Sequence, residues 1–296
     1  TLYARAKETC TRGAIRDEKG NMENYKYYND NNFVSSYRIS KFVVDWMRER
    51  GDMRLPKLAE MMIKLDGKNA DPTDLANYKG VIPNPGATGD NNNTDMEDGS
   101  QSRLKSKWYL EPVGPSAMNI GYPEQEFILA EAALRGWTDE DAGTCYRAGV
   151  SISFAQWQVS GAEQYLESDA SAADYRDPIA PENDIAARCR VSPRWDESAA
   201  AEIGLERIIT QKWIAMYPEG CEAWAEQRRT GYPRLFPVRF NHSKGQSIDT
   251  ETMIRRLPYP ATLETSDPEQ YEMLLKELGG PDHGGTRLWW DTGRNF

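Results

Sequence analysis

The stretch Leu205–Pro237, LERIITQKWIAMYPEGCEAWAEQRRTGYPRLFP, constrains this chain more than any other. Leu205, Ile208, Ile209, Trp213 and Met216 recur at i, i+3, i+4, i+8 and i+11, a single apolar stripe on a helix. Glu206, Arg207, Gln211 and Lys212 fill the other side. Pro218 ends that helix, because an interior proline removes a donor and clashes with the preceding turn. A second helix follows from about Glu219 and carries Cys221, Trp224, Ala225 and Arg228 on one side. Gly231 is a natural left-handed stop, and Pro233 forbids continuation. The stretch predicts helix, break, shorter helix, stop.

The same grammar recurs upstream. Pro123 suits the first turn of a helix in which Phe127, Ile128, Ala130 and Leu134 pack and which Gly136 ends. Thr138 is the expected cap of the next helix, with Asp141 at its third position. Ala142, Cys145, Tyr146, Gly149, Ile152 and Ala155 form the expected inner face. The small residues Ala130, Ala133, Ala142, Ala148 and Gly149 predict closely approaching helices. Glu124 to Trp157 covers 34 residues, and Ser198 to Thr230 covers 33. A helix-turn-helix unit of about 34 residues is the tetratricopeptide period.

Two further helices are legible. Ser40 to Arg50 has Ser40 as cap, Ile39 and Val44 as a hydrophobic staple, Val43, Val44 and Met47 inward, and Gly51 as stop. Pro268 to Leu278 is capped by Asp267, packs Tyr271, Leu274, Leu275 and Leu278, and stops at Gly279-Gly280. Residues 52–56 are expected to be extended, since a residue before proline avoids the helical region. The fold class is therefore mostly α: tetratricopeptide-like helical hairpins with long loop insertions and little β. The expected organisation is one domain over 1–296, with hairpins at about 124–157 and 198–230 and loop-rich inserts at 66–122 and 158–197.

Composition narrows the function. The net charge of −10 argues against a nucleic acid partner, which wants a basic face. No run of eighteen apolar residues occurs that would span a membrane. The four cysteines, Cys10, Cys145, Cys189 and Cys221, are widely spaced and encode neither a zinc site nor a redox motif. Up to two disulfides and four buried thiols are both compatible with that spacing. No metal or cofactor is expected. The Asn- and Asp-rich run 89–95 invites a calcium reading but lacks the turn glycine and terminal glutamate at the required spacings.

Catalytic signatures are missing: no H-E-x-x-H, no G-x-S-x-G, no Walker loop, no G-x-G-x-x-G. His242 and His283 both fall in turn-rich segments. A solvated helical face accounts for Glu126, Glu131, Glu219, Glu222 and Glu226. One of Arg228 and Arg229 is expected to pair with a nearby carboxylate at the helix end, where a cation is favoured. The chain is not expected to be an enzyme. The aromatic residues Tyr25, Tyr27, Tyr28, Tyr165, Tyr175 and Trp195 lie among turn formers or in the 158–197 insert. They are the candidate ligand contacts, because an aromatic ring offers a flat apolar face with a polar tip.

Several pieces together resemble the SusD/RagB family. They are Ile209–Met216, Glu222-Ala223-Trp224 and Arg228–Pro233, and the helix Tyr122–Trp137 with its Ala130-Glu131-Ala132-Ala133 and Arg135-Gly136-Trp137. Asp52–Leu55, Tyr78-Lys79-Gly80, Leu257–Pro260, Gly279–Asp282 and Gly284–Asp291 agree as well. The resemblance covers roughly residues 33–291. It implies a lipid-anchored nutrient-binding protein on the extracellular face of the outer membrane of Bacteroidota-type bacteria. It implies capture of oligosaccharides or peptides, and a SusC-like TonB-dependent β-barrel transporter as partner. The competing reading is a helical-repeat interaction scaffold without a small ligand. Family members are usually longer, so this chain is expected to be a C-terminal portion, with the lipid anchor on a part it does not contain. By the same resemblance, Trp213, Trp224, Arg228, Gly231, Tyr232 and Pro233 are structural signature residues.

Overall fold

The computed structural model describes residues 10–12, 38–62, 70–82, 101–105, 117–177, 180–238, 241, 243, 247–248 and 253–296. Nine helices of at least four residues occur among them. They are α1 (Lys41–Glu49), α2 (Leu55–Leu58), α3 (Tyr122–Leu134), α4 (Ala142–Gln156), α5 (Ala162–Leu166), α6 (Ala201–Ala215), α7 (Gly220–Thr230), α8 (Leu263–Ser266) and α9 (Pro268–Leu278). Among the described residues β structure is confined to an antiparallel ribbon and isolated bridges. In the ribbon, β1 (Cys10–Arg12) pairs with β2 (Ala117–Ile120), Thr11 opposite Met118. The mostly α, hairpin-built expectation holds.

α3 and α4 form the upstream hairpin, and α6 lies against both. Their approach is close because Gly149 has no side chain: a Cβ there would sit 2.8 Å from the Phe127 ring. α6 runs into α7 through a break at Pro218, and Gly231 closes α7 at φ +78°. The hydroxyl of Tyr232 then donates to Glu202 at 2.8 Å, tying the end of the hairpin to its start. α9 begins and ends where the sequence placed it, and the Asp267 carboxylate accepts from Gln270 N–H.

Two apolar cores share the molecule. One gathers α1 with residues of the 158–197 insert, including Tyr175, Ile185, Cys189 and Val191. The other joins Phe127, Tyr146, Val150, Phe154, Leu205, Ile208 and Ile209. A buried polar hub joins them. The Trp46 indole N–H donates to the Tyr165 hydroxyl at 2.8 Å, and the Gln211 amide donates to the same oxygen at 2.9 Å. Beside it Arg54 clamps Asp52 through Nε (3.0 Å) and Nη2 (2.6 Å), donates from Nη1 to Ser153, and lies over the Phe154 ring. Burial opposes the Arg54 charge, but the paired Asp52 more than compensates and raises its pKa. A buried cation survives only when paired and hydrogen-bonded in this way.

Several local expectations are corrected. Residues 52–56 are not extended: they turn into α2, and Pro56 sits in its first turn, where no N–H is needed. Asp141, not Thr138, caps α4, accepting from Thr144 N–H at 2.7 Å. The buried face of α4 is Cys145, Tyr146, Gly149, Val150, Ser153 and Phe154, while Ala155 is exposed. The rotated face brings Ser153 to Arg54, which donates to its hydroxyl at 2.8 Å. Ile128 is exposed on α3. The polar side of α6 is buried as well: Glu206, Gln211 and Lys212 are 2%, 1% and 4% exposed. Lys212 is satisfied there by Glu226 at 2.9 Å and Glu124 at 3.7 Å.

Candidate functional site

The expected ligand contacts occupy different settings. Tyr25, Tyr27 and Tyr28 lie outside the described residues, as does the 89–95 run. Tyr165 is the centre of the buried hub. Tyr175 is buried, pairs across a bridge with Ile185, donates to Asp177 at 2.9 Å, and carries the Lys41 ammonium 4.9 Å from its ring centre. Trp195 is half-buried, its ring 5.1 Å from that of Tyr146. Its indole stands where Gly143 leaves room: a Cβ at 143 would be 2.6 Å from Nε1. The structure therefore does not bring Tyr165, Tyr175 and Trp195 together on one open face.

The signature residues are all engaged. Trp213 meets Phe42 edge to face at 6.2 Å. Trp224 donates to the Ile254 carbonyl at 2.8 Å, and Arg228 donates to that of Arg255 at 3.0 Å. Arg228 also stacks on Trp224 and faces Trp290. These last contacts reach the C-terminal segment rather than the partner helix of the hairpin.

Arg229, not Arg228, is the cation that meets a carboxylate. Its two terminal nitrogens grip Glu131 at 2.7 and 2.6 Å. Glu131 is thus not on a solvated face: it is buried between Arg229 and Arg135. Burial pushes its carboxyl upward, but the two guanidinium groups outweigh that and hold it below the usual carboxylate range.

The concave surfaces of the described residues include the following two. The first has a volume of about 250 Å³ and lies where α6 breaks into α7. Val43, Leu58, Trp213, Tyr217, Pro218 and Ala223 line it with carbon, and Arg38, Ser40 and Glu219 are among its polar and charged lining residues. Burial, then the negative charges of Glu222 and Glu124, push the Glu219 carboxyl upward. The second, about 180 Å³, lies beyond the end of α7. Leu235, Phe236, Pro237, Val238 and Met253 give it an apolar lining, here called its floor, and Arg188, Arg234 and Arg255 line it as well. Neither was legible in the sequence. The first depends on where the break at Pro218 falls against α1, and the second collects arginines from three separate segments.

Among the described residues no group of three His, Cys, Asp or Glu side chains could hold a metal ion. Cys145, Cys189 and Cys221 are free thiols. Burial, then the nearby Glu206 charge, pushes the Cys189 thiol up to about 12.

Tetratricopeptide-like hairpins around two cores, with open concavities between segments, define a helical-scaffold class. Within it the family is specific: the model for SusD-like proteins, described as Susd and RagB outer membrane lipoproteins, matches residues 4–291, and the chain belongs to that family. The match starts upstream of residue 33, where the motifs alone placed it. A SusD homolog from Bacteroides vulgatus is 36% identical, with a TM-score of 0.79, over 99% of this chain and 55% of its own. A chitin-binding SusD homolog from Flavobacterium johnsoniae is 32% identical, with a TM-score of 0.77, over 98% of this chain and 55% of its own. A SusD homolog from Bacteroides thetaiotaomicron is 30% identical, with a TM-score of 0.73, over 97% of this chain and 57% of its own. The chain spans little more than half the length of these relatives. No curated protein sequence matches it.

Proposed function

We propose that this chain is the ligand-handling part of a cell-surface nutrient-binding protein that captures oligosaccharides for a TonB-dependent outer-membrane transporter. The observation that carries this reading is the family match over nearly the whole chain, with a chitin-binding protein among its relatives. The protein binds and does not transform its ligand. Its place is the extracellular face of the outer membrane, as a lipid-anchored protein. The single-domain organisation over 1–296 belongs to the same proposal.

The groove at the α6–α7 break suits a sugar ring. Trp213 and Tyr217 supply apolar faces, and Ser40 and Glu219 supply polar groups, the mixture that orients small ligands in concave sites. The tyrosines Tyr25, Tyr27 and Tyr28 are the second part of the contact set. Tyr165 and Tyr175 act through the fold, because both are buried and hydrogen-bonded.

Titration calorimetry with chito-oligosaccharides, malto-oligosaccharides and short peptides tests the reading. Saturable binding of an oligosaccharide is expected. Ala223→Trp, which fills the groove from the surface of α7, is expected to weaken it at least tenfold, and joint replacement of Tyr25, Tyr27 and Tyr28 by Ala to weaken it less. Binding of peptides alone would redirect the ligand class. Saturable binding of nothing, with a β-barrel partner still co-purifying, would favour the scaffold reading.

A further inference from the structure

We infer that the cavity beyond α7 is a carboxylate-binding subsite, one that accepts an amphipathic group with an apolar face and an anionic end. The inference rests on the nutrient-capture reading for its biological sense but not for its chemistry.

Three guanidinium groups line one concavity in a protein whose overall charge is −10. Arg255 is paired with Asp291 at 2.8 Å, and the loosely paired one is Arg234, 3.7 Å from Glu206. Arg234 is the most available of the three. Its side chain is 45% exposed. Among the described residues, its polar contacts are a 3.7 Å approach of Nε to Glu206 and a 3.4 Å bond from Nη2 to the Tyr232 hydroxyl. Neither contact is the fork-on-fork pairing of which a guanidinium is capable, and that geometry is what a carboxylate offers. Arg255 is the fixed member. Its Nη1 donates to Asp291 at 2.8 Å and approaches the Arg228 carbonyl at 3.4 Å, so its head is positioned without a ligand. Arg188 and Gln227 complete the polar part of the lining.

The floor is of the opposite character. Leu235, Phe236, Pro237, Val238 and Met253 present carbon to the same space. An inorganic anion would leave that floor unused. A uronic acid residue matches both parts, its C–H face on the floor and its carboxylate on the guanidinium groups. The C-terminal residue of a peptide matches them too, by its side chain and its terminal carboxylate. Both present one chemistry: a carboxylate next to an apolar surface. The overall negative charge slows the approach of such ligands, so the cavity must act through the short-range pairing that Arg234 offers.

The test uses four probes on the full chain: glucuronate, glucose, a tetrapeptide, and the same tetrapeptide amidated at its C-terminus. Binding is followed by calorimetry and by proton–nitrogen NMR. The carboxylate probes are expected to bind at millimolar concentration, to weaken as salt is raised, and to shift signals from 227–238. Arg234→Gln is expected to weaken them about tenfold. Gln227→Trp, a substitution on the surface of α7 that fills the cavity, is expected to do the same if Arg234→Gln proves hard to fold. A response to glucuronate alone assigns the subsite to acidic glycans, and a response to the free-carboxylate peptide alone assigns it to peptide ends. Equal binding of charged and neutral probes, or affinity within twofold after both substitutions, overturns the inference. Loss of oligosaccharide binding at the Trp213 groove with these carboxylate responses intact would instead count against the nutrient-capture reading alone.

Discussion

The hub between the two cores and the C-terminal segment 253–296 use the same side chains to opposite ends. In the hub, Arg54, Asp52, Tyr165 and Gln211 are buried; Arg54 grips its neighbour Asp52 and reaches Ser153, and Tyr165 joins Trp46 to Gln211. In the C-terminal segment no residue of α8 or α9 is fully buried. Order there comes from arginines gripping aspartates and carbonyls: Arg255 with Asp291, Arg256 with Asp282, and Arg228 with the Arg255 carbonyl. One region is welded by desolvated polar contacts that are costly to break singly. The other is laced to the body by partly solvated ones that yield separately. The comparison teaches that charge pairing sets local cooperativity in this molecule through burial rather than through number.

Breaking the hub should have the largest effect. Arg54→Met leaves Asp52 buried without its cation, and a loss of roughly 3–5 kcal/mol is expected. Urea unfolding measures it. A loss below about 1 kcal/mol would mean that the two cores do not depend on this link.

Arg256→Ala removes a 2.6 Å ion pair to Asp282, which also accepts from Tyr259 N–H. A local loss of about 2 kcal/mol is expected, the usual scale for a charged hydrogen bond. Hydrogen exchange should quicken across 253–291 and stay unchanged in α3, α4 and α6. Acceleration in those helices as well would erase the distinction between the regions.

Glu131→Gln probes a pair between the two extremes, since Glu131 is buried but the Arg229 side chain is 40% exposed. Discounted for that exposure, about 1–2 kcal/mol should be lost at neutral pH. The folded pKa of Glu131 lies below its unfolded value. Its stabilisation is therefore present above the ordinary carboxylate range and disappears as pH falls through the depressed folded value. Denaturation curves between pH 7 and pH 3 should show a steeper acid loss in the wild type than in the variant. Parallel curves would exclude a role for this pair.

The smallest effect is chemical. Alkylation at pH 8 should modify Cys221, which is exposed, well before Cys189, whose thiol burial pushes up to about 12. Peptide mapping reads the order. Equal rates would show the core opening as readily as the surface of α7.

The helices were legible wherever a local device marks them. α9 was placed to the residue by Asp267, Pro268 and Gly279, and the end of α7 by Gly231. What escaped depends on partners far away in the chain. Gln211 and Lys212 carry no local sign of burial, because Tyr165 and Glu124 satisfy them. The inner face of α4 meets Arg54, nearly a hundred residues earlier. Tyr165 has the surroundings of a surface aromatic in the sequence, and only Trp46 and Gln211 reveal it as interior. The arginine cavity gathers residues 188, 234 and 255, a set that no spacing rule connects.

The Tyr165 hydroxyl also sets an order of events in time. Its bond to Trp46 closes a separation of 119 residues, and its bond to Gln211 a separation of 46. Contacts so remote in sequence form late, since the entropy of closing the loops must be met before they are made. The chain must therefore extend past residue 211 before the Tyr165 hydroxyl can hold both of its partners.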